Sequence, residues 1–324
     1  MTRIPLVTLL FLLPALFAVP TGSAQTISAT VEGKVLDTSG AAIPGARVTA
    51  VKSSTGLSRS ATTSDTGDYR IPLLPVGEYT VTTEHSGFRR ESKRLVLEIG
   101  QTATLDFSLQ AGGVNEEVNI QSGDTVAEPT RTEVSSVISQ RQISTLPANG
   151  RQFIDFVLLA PGVTIGDTTS GSTDVIVEPV TKISFAGQNI HFNFVAIDGA
   201  DNISTASGIQ KTTPSQDAVQ EFRVTNTVYS AEFGRAVGGI INIITKGGTN
   251  NMHGSLYEYF RNDGLDARSV LSSPGLDRLH QNQFGGTIGG PIKKDRTFYF
   301  LNYEGQRRSE SPFYNSAVLA NIDA

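Results

Sequence analysis

The chain has 324 residues, 38% hydrophobic and 18% charged, with 32 Gly, 14 Pro, no Cys and no Trp. Without cysteine it can carry no disulfide, no thiolate metal site and no cysteine nucleophile. Its formal net charge of −5 supplies none of the basic surface that nucleic-acid binding requires. The length allows two or three domains, and abundant glycine beside Ser, Thr and Val points to β-rich architecture.

Residues 1–24 read as a secretory signal peptide, with Arg3 for charge, an apolar core over 4–19, and the small residues Gly22, Ser23 and Ala24 before Gln25. Pro14 interrupts the run, which is also short of the ~20 residues that span a bilayer. A cleaved export signal is therefore expected rather than an anchor, with the mature protein starting at Gln25.

Residues 25–110 are expected to form one all-β domain. Short strands at 29–36, 46–52, 58–64, 69–72, 77–84, 94–99 and 102–109 alternate with turns such as DTSG at 37–40 and DTGD at 65–68, a spacing that suggests a sandwich. Asp37, Asp65 and Asp68 are read as turn residues whose carboxylates bond nearby backbone N–H groups, not as calcium ligands. The phrases VEGKVLDTSGAAIPGARVTA and TTSDTGDYRIPLLPVGEYTVTTEHSGFRR resemble the carboxypeptidase regulatory-like domain. That resemblance implies a transthyretin-like sandwich, also classed with carbohydrate-binding-like folds, and no peptidase chemistry.

Residues 111–131 are polar, acidic and poor in large apolar side chains, the composition of a linker. Ser139 and Gln142 then have the spacing of a capping box for a short helix ending at Leu146. Asn149 can cap a second helix with Phe153, Ile154, Val157 and Leu158 on one face, stopped by Pro161 and Gly162. A Ser/Thr/Gly-rich loop over 164–179 follows, then strands near 182–186, 192–197 and 221–227.

The stretch 231–250, AEFGRAVGGIINIITKGGTN, holds one β-branched strand over 239–245 fenced by Gly234, Gly238, Gly239, Gly247 and Gly248. Such a run reads as a buried strand, and its glycines as places of close backbone approach or unusual φ. Beyond it, GSLYEYFR at 254–261 and RTFYFLNYE at 296–304 are aromatic, with tyrosines alternating at Tyr257/Tyr259 and Tyr299/Tyr303. With LAPGV, FVAIDGADN and DAVQEFRVTN upstream, these phrases resemble the Oar-like branch of TonB-dependent outer-membrane receptors.

The resemblance implies a mainly β fold in three parts. These are the N-terminal sandwich, an α+β plug over 132–250, and the first strands of a transmembrane β-barrel over 251–324. It further implies a TonB box, a short segment that pairs with a strand of the energising protein, within Glu116, Glu117, Val118, Asn119 and Ile120. Asn119 stands where a hydrophobic residue is common, and a plain interdomain tether fits the same residues. Alternating tyrosines fit a lipid-facing or interfacial girdle. Implied partners are a TonB-type energy-coupling protein, outer-membrane lipid and a transported large solute, such as a saccharide or peptide. The implied place is the outer membrane, with the N-terminal domain in the periplasm.

Plugged receptors of this kind close with about 22 strands, whereas 251–324 has room for three or four. An incomplete barrel with a loosely packed hairpin region is therefore expected after residue 250, in a chain that transports nothing by itself.

Catalytic strings are missing. His85, His191, His253 and His280 are scattered with no HExxH spacing, and no GxSxG or GxxxxGK[ST] occurs. His191 with Asp198 and Asp201 is read as polar plug surface, and Lys246 as a strand-end charge. No catalytic, metal or cofactor residue is assigned. The competing readings are a secreted cell-surface adhesion or carbohydrate-binding protein built from sandwich modules, and an exported hydrolase.

Overall fold

A computed structural model describes residues 28–112, 117–121, 134–148, 151–166, 183–205, 208, 210–227, 229, 234, 236–265 and 279–310. The signal-peptide reading of 1–24 and most of the 164–179 loop lie outside them. Among the described residues no helix is long and apolar enough to cross a membrane, a statement that leaves strands untouched.

The first part is a sandwich. Its strands are β1 (Ser28–Asp37), β2 (Arg47–Lys52), β3 (Ser58–Thr62), β4 (Asp68–Pro75), β5 (Gly77–Glu84), β6 (Arg90–Leu97), β7 (Thr102–Thr104), β8 (Phe107–Leu109) and β9 (Glu117–Gln121). One sheet runs β4-β1-β7 with β8 also on β1, and the other runs β3-β2-β5-β6-β9. Each inner face comes from alternation: Tyr79, Val81 and Thr83 of β5 are buried while their neighbours are not. Val31, Val35, Ile71, Leu74, Val48, Leu95, Leu97 and Phe107 complete the core.

Two tyrosines tie this core to backbone. Tyr69 Oη donates to Leu105 O at 2.6 Å, and Tyr79 Oη donates to Pro75 O at 2.7 Å. Burial holds both phenols well above their ordinary range, Tyr79 at about 12. Replacing Tyr69 by Phe strands a buried carbonyl, so it should cost ~1–3 kcal/mol, read as a lowered urea midpoint at unchanged slope. The turn assignment of Asp37 holds. Its Oδ1 accepts from Ser39 N and Ala41 N, each at 2.8 Å, and these bonds, led by the Ser39 hydroxyl, keep the carboxyl below its usual value.

The second part has β10 (Val134–Ile138), α1 (Gln140–Thr145), β11 (Val163–Ile165), β12 (Ile183–Phe185), β13 (Phe194–Ile197), β14 (Ala200–Asp201), β15 (Val219–Thr227) and β16 (Ile240–Thr245). The capping box forms as spaced: Ser139 N donates to Gln142 Oε1 at 2.9 Å, and Gln142 N to Ser139 Oγ at 3.5 Å. The second helix differs from expectation. Phe153–Leu159 is a 3-10 helix, and its buried residues pair at spacing three, Phe153 with Phe156 and Ile154 with Val157. Three residues per turn stacks each pair directly, one member above the other, against the core.

The main sheet runs β10-β15-β16-β13-β14, with β16 antiparallel to β15 and parallel to β13. Ile240, Ile241, Ile243 and Ile244 are all buried, as the β-branched run requires. Close approach explains two glycines at its start. A Cβ on Gly239 would run into the Phe185 ring, and one on Gly238 into the Asn193 side chain. Gly248 abuts the backbone of Tyr299 and Gly290, whereas Gly234 and Gly247 face open space.

The third part is an antiparallel three-stranded sheet, β17 (His253–Asn262), β18 (Leu279–Lys293) and β19 (Thr297–Glu310). Far from a loose hairpin, it pairs in register along ten positions between β17 and β18, with one irregularity near Pro291 in the β18–β19 ladder.

Candidate functional site

Two faces of the third sheet differ in chemistry. Leu256, Phe260, Ile288, Leu301 and Tyr303 point outward and are exposed, Leu256 at 92%, with Glu258 as a charged residue among them. The other face carries Gln281 and Gln283, both buried, with Asn302 and Glu304. Polar inside and apolar outside is the pattern of a membrane barrel wall. Tyr257 and Tyr259 fall on the inner face, which corrects the lipid-facing reading for that pair. Tyr303 keeps to the outer face.

On that face the two tyrosines meet Arg151 of the second part. Its guanidinium lies 4.9 Å from the Tyr257 ring centre and 3.8 Å from that of Tyr259, while Nη2 pairs with Asp217. Tyr257 Oη donates to Glu304 Oε2 at 2.7 Å, and Ser215 Oγ donates to Asn302 Oδ1 at 3.0 Å. Gly285, opposite Tyr257, leaves room for its phenol. Replacing Arg151 by Ala removes the stacking and leaves Asp217 half-buried, a loss of ~1–2 kcal/mol. Lys should restore little of it, since it lacks the flat guanidinium. Thermal unfolding of the three proteins measures both effects.

The candidate coupling residues occupy β9. Glu117, Val118, Asn119 and Ile120 lie opposite Arg90, Glu91, Ser92 and Lys93 in a parallel ladder with β6, while Glu116 lies outside the described residues. Within the segment read as a linker, residues 117–121 are thus an edge strand of the sandwich. Sequence reasoning missed this pairing, although EVNIQ is a strand-compatible pentapeptide.

The sandwich also touches the other parts. Ile99 N donates to Glu221 Oε1 at 2.7 Å, and Val76 and Ile99 pack with Ile244 and Val137. Asn250 joins three segments: its N–H donates to Ser54 O at 2.9 Å, its Nδ2 to Asp295 Oδ1 at 2.7 Å, and its Oδ1 accepts from Asp295 N at 2.8 Å.

The residues considered for chemistry have structural partners. Asp198 accepts from Thr245 N at 2.9 Å and from Thr245 Oγ1 at 2.6 Å, and Asp201 accepts from Ile203 N at 2.7 Å. Burial lowers the Lys246 ammonium from its usual value. Among the described residues no group of three or more His, Asp or Glu could hold a metal ion.

Comparison with known proteins follows the same division. The carboxypeptidase regulatory-like domain matches residues 30–110, and the outer membrane beta barrel domain matches residues 244–322. A sandwich of the first kind joined to an outer-membrane β-barrel wall is the class these matches define, and they place the chain in the outer membrane.

TonB-dependent transporter Oar of Myxococcus xanthus is 29% identical over 293 residues, covering 85% of this chain and 26% of that protein. The protein named probable TonB-dependent siderophore receptor PirA, of Acinetobacter baumannii, is 25% identical over 251 residues, covering 68% of this chain and 31% of its own. The crystal structure of PirA aligns with a TM-score of 0.42 at 23% identity, over 56% of this chain and 26% of that one. The chain is therefore similar, along most of its length, to TonB-dependent outer-membrane receptors of the Oar type, and it spans under a third of the length of these relatives.

Proposed function

We propose that the chain is the N-terminal part of a non-catalytic TonB-dependent receptor that takes up a large solute, of saccharide or peptide class, when pulled by a TonB-type protein. The observation that carries this reading is the plug-like sheet held by Arg151 and Ser215 against the polar face of a wall whose other face is apolar. Residues 132–250 act as the plug and 251–324 begin the barrel.

The sandwich lies on the periplasmic side in this reading. It meets the short turn between β18 and β19 through Asn250 and Asp295, and barrels of this kind keep their short turns in the periplasm. Saccharide binding by the sandwich is a separate reading. It has a cleft of about 580 Å³ lined by Glu32, Lys34, Asp68, Arg70 and Asp106, but Asp106 Oδ1 is already taken by Lys34 N at 2.7 Å. Transport is favoured over a secreted adhesion module because the wall has an apolar outer face.

The test uses the absence of cysteine from these 324 residues, with any cysteine elsewhere in the receptor replaced by serine. With Asn119→Cys in the full-length receptor, a TonB-type protein carrying one cysteine in its C-terminal strand should form a disulfide-linked adduct in cells. A control position in β3, such as Ser60→Cys, should not. Equal or absent adducts at both positions would reduce β9 to a tether.

A further inference from the structure

Glu221 is a buried carboxylate that the transport reading does not use. It lies on β15, is 8% exposed, and its Oε1 takes the Ile99 N–H from the sandwich at 2.7 Å. The groups facing it come from both sides. Lys52 at the end of β2 and Glu98 in the loop after β6 belong to the sandwich, while Arg223 is two residues along on the same face of β15. Around it, Val76 and Ile99 of one part close on Ile244 and Val137 of the other. A carboxylate sits in the seam between two folding units, near a second carboxylate.

We propose that this seam is a proton-operated latch, in which protonation of Glu221 clamps the N-terminal sandwich onto the plug and its ionisation loosens the clamp. The proton comes from solvent and goes to Glu221; the Ile99 bond survives, because a protonated carboxyl still accepts through its carbonyl oxygen.

The direction follows from the environment. Burial, with Glu98 adding to it, raises the carboxyl from 4.5 to about 7 despite the Ile99 bond, Arg223 and Lys52. Burial likewise lowers the Lys52 ammonium, against the pull of Glu221. An acid whose value is higher docked than free favours docking below its free value of 4.5. That advantage fades as the pH climbs to about 7, beyond which docking is level. Over that interval the docking constant falls by on the order of a hundredfold. Acidity would therefore hold the sandwich in place, and neutral pH would loosen it.

Amide hydrogen exchange at Ile99 in the intact chain reads the latch directly, with Val81 of the sandwich core as internal reference. After correction for the intrinsic rate, protection at Ile99 should fall by on the order of a hundredfold between pH 4.5 and pH 7 while the reference stays level. Glu221→Gln keeps the acceptor without the charge, so its Ile99 protection should be high and level across the same range. A level wild-type profile overturns the proposal, as does an unchanged slope in Glu221→Gln. The wild-type profile decides alone should that variant fail to fold. None of these outcomes depends on whether the receptor couples to a TonB-type protein.

Discussion

Gly239→Ala is expected to lower the unfolding midpoint of the plug by about ten degrees, corresponding to ~3 kcal/mol at this domain size. The new methyl has nowhere to go. Phe185 covers Gly239 with its ring and is itself wholly buried. Asn193 pins the same corner, donating to Ile183 O at 2.6 Å and accepting from Gly239 N at 3.3 Å. Neither neighbour can retreat without breaking a buried bond or opening the core. Because the strain is local, Phe185→Leu in the Gly239→Ala background should recover part of the loss. A double-mutant cycle would show coupling of 1 kcal/mol or more, on the order expected for contacting residues. Additive effects of the two changes would mean that β16 shifts as a whole instead.

Val118→Pro should abolish energised uptake, to below about a tenth of wild type, while leaving solute binding at the cell surface intact. Proline removes one backbone donor and fixes φ near −65°, so the five-residue β9 loses either a bond to β6 or one available to an added strand. A strand this short has no spare ladder to compensate. Measured on the full-length receptor, uptake and surface binding separate coupling from recognition. Uptake that survives the substitution would return residues 117–121 to the role of a spacer.

Several features were legible because they are local. The Ser139/Gln142 box and the Asp37 turn need only neighbours two to four residues away, and side-chain chemistry at fixed spacing determines them. The buried β16 strand was legible from β-branching, and Gly238 and Gly239 from the cost of a Cβ in a crowded corner. The alternation of Tyr257 and Tyr259 showed that they share a face but not which face. Period two is blind to side, and the answer came from Arg151, more than a hundred residues earlier. Glu221 escaped notice for the same reason, since its partner Ile99 is 122 positions away. The 3-10 form of the helix at Phe153–Leu159 was not legible, because six apolar residues in seven satisfy either period.

The ladder between β6 and β9 has a mechanical side. The two strands run parallel with their partners in step from Arg90/Glu117 to Arg94/Gln121, and parallel bonds are evenly spaced and slanted. A tug along the axis of β9 therefore strains every rung together, as in a lap joint under shear. A tug at right angles opens the rungs one after another, like a zipper. The sandwich would then work as a tension fuse whose rating depends on the angle of pull, stiff to an axial load and quick to release a sideways one.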